Sequence, residues 1–365
     1  MFVALRDIRF AKGRFALMGS VVALITLLVV LLSGLTAGLA DQSTSAVTSL
    51  PASHVAFGTS GDGDPEESYA ESTVTGEQVD AWSAAEGVRW AEPLGVTQSR
   101  LEFGNGESAA AALFGVVPEG RLAPEGLEGG GGLVVSEEVA EEFGVGPGDT
   151  VTVAGSALVV DAVTDTRQHS HTPAVWAGID TWRELDPRAR HAEGDDAPAA
   201  NVVAAQVVSD KAAADADAAA GTVSTTLSDS RSAIGSFSSE NGSLVAMQGF
   251  LYAISALVIG AFLTVWTIQR SGDVAILKAL GGSTRYLLRD ALAQALVVLS
   301  AGAVVGGAAG VALGAAAAGS LPFSLVPATT LGPVAALVVL GMLGAVLAVH
   351  RVTAVDPLTA LGGVR

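Results

Sequence analysis

The side chains of this 365-residue chain that could hold a metal or a haem iron are five histidines, three tyrosines and four methionines; there is no cysteine. His169 and His171 alternate in Arg-Gln-His-Ser-His-Thr-Pro, and on an extended segment they would share a face, as a surface pair at a strand end. Met247, Gln248, Phe250, Leu251 and Tyr252 form a second cluster, in which Met and Tyr are types that ligate haem iron. His54 is the histidine that could overhang that cluster. The missing cysteines remove thiolate chemistry and zinc–thiolate sites. No Gly-x-x-x-x-Gly-Lys-Ser/Thr occurs, and Gly129–Gly132 lacks the lysine and helix of a phosphate loop. No catalytic residue and no metal site is therefore expected, and ATP is not expected to be hydrolysed on this chain.

The elements that position these groups follow from segregation. Half of the residues are hydrophobic, yet the formal net charge is −18. The apolar residues gather in four runs at 15–40, 247–269, 290–319 and 331–350, each able to supply the roughly 20 residues that cross a hydrocarbon core. The first exceeds the length of a signal-peptide core and reads as a retained anchor. Segment 41–246 holds nine Lys/Arg against 33 Asp/Glu, whereas the short segments flanking the runs are cationic. Cationic flanks stay in the cytoplasm, so both termini and the 270–289 loop are expected inside and the acidic 41–246 domain outside. The expected fold is a membrane all-α protein of four transmembrane helices, with a large α+β extracytoplasmic domain between helices 1 and 2.

Residues 1–14 place Phe2, Leu5 and Ile8 opposite Arg6, Arg9 and Lys12, the pattern of a short amphipathic helix on the membrane surface. Span 1 meets no helix breaker until Pro51, which predicts a stalk continuing to about residue 50. Within 41–246, the sequence predicts a strand at Leu133–Val135, then a helix capped by Ser136 with Glu137 and Glu138 in its first turn. Alternating strands TVTVAG and ALVVDAV follow, then a strand entering a helix in TPAVWAGIDTW, a strand in VVAAQVV and a helix at 211–220. Ser/Asn/Gly-rich residues 224–243 lead into span 2. A short external loop at 320–330 joins spans 3 and 4, and 351–365 is a cytoplasmic tail.

Gly302, Gly306, Gly310 and Gly314 recur every four residues in span 3 and form a stripe for close helix packing; Gly34 and Gly38 are a shorter pair in span 1. Whether the stripe packs within one chain or between two is not readable. In the loop 270–289, Val274, Leu277 and Leu280, joined by Ile276, make an amphipathic turn before Gly281-Gly282, and Ser283 caps the next helix. Such a turn is shaped to dock in a groove of a soluble partner.

One span, a large domain and three further spans is an arrangement that resembles the FtsX/MacB-type permeases. So do RSGDVAILKALGGS at 270–283, RVTAVDPLTAL at 351–361 and VVSEEVAEEFGVGPGDTVTVAGSALVVDAV at 134–163. One departure is Gln294, where many members carry an acidic residue. The resemblance implies a non-catalytic permease subunit in the plasma membrane, working as a homodimer with two copies of a separate ATP-binding-cassette ATPase and without nucleic acid. It assigns ATPase coupling to Asp273, Ile276, Leu277, Ala279, Leu280, Gly281 and Gly282. The scarcity of charge in the spans points to an apolar or amphipathic cargo entering from the lipid. SHTPAVW at 170–176 and the compact length are similar to haem-efflux permeases of Gram-positive bacteria. Haem is therefore the leading cargo, as substrate and not as intrinsic cofactor, with Met247, Phe250, Tyr252 and His54 as its expected contacts. Export of a peptide, lipid or drug, and FtsX-like control of cell-wall hydrolases, are the alternatives.

Overall fold

Strands whose every residue is buried need two cores, one on each face, and this requirement organises residues 40–241. The protein is described by a computed structural model covering residues 12–59, 63–129, 131–190, 198–269, 272 and 283–353. It divides into two units, one formed by 1–39 with 242–365 and the other by 40–241.

In the second unit, β1 (His54–Phe57), α2 (Gly76–Ala84) and β2 (Val88–Glu102) come first. β3 (Ser108–Val116), β4 (Leu133–Ser136), α3 (Glu137–Phe143), β5 (Thr150–Val153) and β6 (Ser156–Thr164) follow. Then come β7 (Gln168–His169), β8 (Thr172–Gly178), α4 (Ile179–Leu185), β9 (Val202–Val207), α5 (Asp210–Ala220) and β10 (Val223–Thr226). Strands β10-β1-β9-β2 form an antiparallel run, the order of a split βαβ sheet in which β1-α2-β2 is one half and β9-α5-β10 the other. Everything from β3 to β8 is inserted between the halves. These strands continue the path as β2-β3-β8-β4-β6-β5, and β5 returns to β2 through Leu101 opposite Val153, which closes a small barrel. β2 is long enough to serve both: Val88–Leu94 pairs with β9, and Gly95–Glu102 pairs with β3.

Period-2 alternation then divides the apolar residues. Ala56, Val203, Ala205, Leu113, Val175 and Ala177 enter one core with Trp82 and Trp182. Their chain neighbours Val55, Val202, Ala204, Phe114, Ala174 and Trp176 enter the other. That second core is completed by Ala46 and Val47 from the end of a long helix, α1 (Lys12–Thr48), and by Ile234 just before another, α6 (Gly235–Gln269). The predicted cap holds: the Ser136 hydroxyl accepts from the Val139 N–H at 3.4 Å. Helix α2 was not read from the sequence, although Thr75 and Gln78 form a reciprocal capping box at its start. Glycines at 95 and 115 let the Trp182 ring lie directly on the β2 and β3 backbones, and its indole N–H donates to Thr97 Oγ1 at 3.1 Å.

The first unit contains helices α1 and α6, together with α7 (Thr284–Ala317) and α8 (Pro327–Thr353). Each is long and apolar enough to cross a membrane, with spans Phe15–Thr48, Gly235–Gln269, Arg289–Ala317 and Pro327–Leu347. Helix α6 starts at Gly235, so the last nine residues of the Ser/Asn/Gly-rich approach are helix. Met18, Val22, Ile259, Leu263, Leu299 and Ala303 form the centre of the bundle.

The two histidines at 169 and 171 do not share a face, contrary to the alternation argument. His169 ends β7 and is buried in the second core, edge-on to Tyr69 and Phe114 at 5.7 Å from each ring. His171 lies in the β7–β8 turn with φ 62°, which reverses the chain before alternation can continue. Burial lowers the His169 pKa from 6.5 to about 4. The unfolded chain therefore takes up the proton first as pH falls. Stability is full above about pH 6.5 and is lost progressively down to about pH 4. Urea unfolding of the full chain, followed by tryptophan fluorescence, should show a loss of about 2 kcal/mol between pH 7.5 and pH 5 from this group. His169→Phe should flatten that part of the pH slope; an unchanged slope would refute the assignment.

Candidate functional site

The features of interest on the membrane unit are an exposed face, a packed face and the loop that closes one end. On α6, Ser255, Ile259, Leu263 and Thr267 recur every four residues and are buried. Two buried hydroxyls in this unit bond back one helical turn, Thr26 to the Val22 carbonyl at 2.8 Å and Thr267 to the Leu263 carbonyl at 2.6 Å, whereas the Thr36 hydroxyl has no partner among the described residues. Thr26 and Thr267 are satisfied within their own helices. Another stripe of α6 carries Met247, Phe250, Ile254 and Leu257 at steps of three and four, and Phe250 and Leu257 are 70% and 73% exposed.

The predicted ligand cluster is thus divided. Met247 and Phe250 share the exposed stripe. Tyr252 is offset round the helix, half-buried, with its hydroxyl engaged by the Gln248 side chain. His54 belongs to the other unit. There it is buried on β1, with Nδ1 3.1 Å from Ser53 Oγ and Nε2 3.6 Å from an Asp210 carboxylate oxygen. Sequence reasoning missed a cleft of about 170 Å³ between the start of α1 and the end of α6. Phe15, Met18, Phe262 and Trp266 line it, and the Phe15 and Trp266 rings meet edge to face at 6.1 Å. Its walls suit hydrocarbon. The fixed sequence signal was Phe15 and Trp266 at the flanks of their spans, where aromatics are ordinarily read as interfacial anchors.

The glycine stripe of α7 is resolved as an interface within the chain. A methyl group at Gly302 would come 2.8 Å from the Gly19 carbonyl, and one at Gly310 would come 2.9 Å from the Val30 side chain. At Gly306 a methyl would overlap the Ala23 carbonyl. Three glycines of the stripe therefore seat α7 on α1, two of them against its backbone carbonyls and Gly310 against Val30. The fourth, Gly314, receives the ring of Phe323 from the α7–α8 loop, and so does Gly34. Gly38 is covered by the Pro322 carbonyl, and the Ser324 N–H donates to the Gly34 carbonyl at 3.0 Å. The Gly34 and Gly38 pair accordingly packs against a loop. Near the other end of α7, Gln294 is fully buried and its amide donates to the Asp290 carboxylate at 3.0 Å, so an acid stands one turn before the amide on the same face. Ser283 caps α7, accepting from the Tyr286 N–H at 3.3 Å. The residues expected to couple to an ATPase, Asp273, Ile276, Leu277, Ala279, Leu280, Gly281 and Gly282, the segment before Lys12 expected to be amphipathic and the tail after Thr353 lie outside the described residues.

Two family models divide the chain as this layout does. The family model described as MacB-like periplasmic core domain matches residues 16–223, and that described as FtsX-like permease C-terminal matches 245–357. The chain is 24% identical over 377 aligned residues to the "Putative hemin transport system permease protein HrtB" of Staphylococcus haemolyticus, covering 100% of this chain and 99% of that one. An uncharacterized ABC transporter permease of Mycobacterium tuberculosis is 34% identical over 120 residues, which is 31% of this chain and 32% of the relative. Among solved structures, the periplasmic region of MacB from Actinobacillus actinomycetemcomitans aligns with 49% of this chain and 90% of its own, at 14% identity and a TM-score of 0.35.

The α1–α7 contact yields a direct test. Gly306→Leu should destabilise the detergent-solubilised chain by about 1–3 kcal/mol, the range for overpacking a tight core. Gly249→Leu, at a position with open space around it, should not. Equal thermal midpoints for the two variants would contradict the packing.

Proposed function

This chain belongs to the family of FtsX-like permeases with a MacB-like periplasmic core domain, a multi-pass membrane family, and we propose that it is the permease subunit of an ATP-driven haem exporter. Its β1–β10 domain stands outside the plasma membrane and both termini lie in the cytoplasm; the cationic flanks of the spans support this orientation. Two copies of the chain work with two copies of a separate ATPase, which pushes on the loop around Asp273–Ser283.

The observation that carries the haem reading is similarity along the whole chain to the relative named "Putative hemin transport system permease protein HrtB". The geometry is compatible with such a cargo. Thr26 and Thr267, two of the buried hydroxyls traced above, are committed to their own helices and present nothing to a hydrophilic solute. The exposed Met247–Phe250 face offers a thioether and an aromatic ring to a planar apolar ligand arriving through lipid. On this reading, motion driven by ATP in the helices is carried to the β1–β10 domain and releases the ligand.

Haemin added to the purified full chain should shift its Soret band, and Met247→Ala should weaken binding several-fold. A spectrum identical to free haemin, with or without the ATPase, would exclude haem as cargo while leaving a permease for another amphipathic solute. The orientation is tested separately. A single cysteine in place of exposed Glu125 should react with a membrane-impermeant maleimide in intact cells, and protection there would reverse the assignment.

A further inference from the structure

The tip of the β7–β8 hairpin meets both long helices of the β1–β10 unit in different ways. Its two turn residues, Ser170 and His171, both have left-handed backbones, φ 51° and 62°. A two-residue primed turn requires this, but the glycine or asparagine that ordinarily relieves it is absent. Docking holds the turn in place. The Ser170 N–H donates to the Ser43 carbonyl and the His171 N–H to the Gln42 carbonyl, each at 3.1 Å. Both acceptors lie in α1, whose carbonyls have a second lone pair free for an outside donor. The Gln168 N–H donates to Ser45 Oγ at 2.9 Å, and Ser43 and Ser45 are buried.

Toward α6 the tip reaches through side chains. His171 Nε2 lies 3.0 Å from a Glu240 carboxylate oxygen while also 2.9 Å from Ser43 Oγ, and the Ser170 and Ser236 hydroxyls are 3.1 Å apart. The His171 and Glu240 side chains are 29% and 44% exposed, so solvent competes for this pair. Ile234, buried just before α6, anchors the chain there; Glu240 lies beyond that anchor, toward the membrane span.

We propose that the hairpin tip is a latch. It is fixed to α1 by two backbone bonds and by the Gln168–Ser45 bond, and grips α6 releasably through His171–Glu240 and Ser170–Ser236. The extramembrane ends of the two helices are held side by side until force along α6 breaks the two side-chain contacts. The latch rests on the permease reading only for the origin of that force.

The natural absence of cysteine makes a lock straightforward. In the purified full chain, Ser170→Cys with Ser236→Cys should close on oxidation, and failure to close would overturn the geometry. Reconstituted with the ATPase partner, the oxidised pair should lower ATP hydrolysis at least tenfold, with recovery on reduction. Undiminished hydrolysis would overturn the latch and leave the permease reading intact. Hydrogen exchange tests it without the partner. His171→Ala should speed exchange of amides 236–241 at least tenfold and leave β9 unchanged, whereas Glu240→Gln, which still accepts from the imidazole, should stay slow. Unaltered exchange at 236–241 in His171→Ala would overturn the latch even if the chain failed to engage any ATPase.

Discussion

Apolar side chains in hydrocarbon gain nothing from leaving their surroundings, so membrane helices cohere only where their surfaces meet closely. In this chain that constraint is met by carbon-to-backbone contact between α7 and α1. Gly302, Gly306 and Gly310 remove the side chains that would hold the helices apart, and the carbonyls of Gly19 and Ala23 fill the space. The same device extends past the helices, where Phe323 from the α7–α8 loop lies against glycines of both. Span 1 is thus held along most of its length by span 3 and its loop. The exposed Met247–Leu257 stripe of α6 is left to lipid or to another chain.

The β1–β10 domain solves a different problem. It is cysteine-free and acidic, and it draws its cohesion from sheets covered on both faces, with alternate residues of one strand feeding separate cores. The end of α1 and the residues just before α6 cover one face, so these segments are part of the domain's core. Asp186, buried in this domain, is compensated locally. Burial alone would raise the Asp186 pKa, but hydrogen bonds from Thr97 and Arg188, with the Arg188 charge, bring it below its ordinary value.

Much of this layout was legible because it rests on local chemistry. Segregated charge and hydropathy marked the four long helices, Ser136 and Ser283 marked helix starts, alternation marked β5 and β6, and a short apolar run marked β9. What was not legible depended on contacts distant in sequence. The partner of the glycine stripe is set by which helix reaches it, and nothing in the stripe encodes that. The Ser/Asn/Gly-rich residues before 247 read as a linker, but buried Ile234 fixes the start of α6 and tertiary contact overrides weak helix propensity. The separation of His169 from His171 failed for a sharper reason. A left-handed turn at Ser-His has no sequence signature, because its strain is offset by carbonyls of α1 more than a hundred residues earlier. Tyr252 and His54 were grouped with Met247 by type and order along the chain, and neither specifies a helix face or a domain.

The shared strand β2 has a consequence for how the chain acquires its structure. The split sheet places β1 and the first half of β2 beside β9 and β10, with the whole barrel lying between them in sequence. These pairings are non-local, and closing them needs a long loop to be brought together before any ladder is gained. The barrel can assemble first from nearer neighbours, but its closing strand stays half unpaired until residues beyond 202 arrive. Maturation of this domain is therefore expected to be slow and late. Its last strands are the ones made just before α6, so the domain can complete its fold only once the next membrane helix is about to emerge.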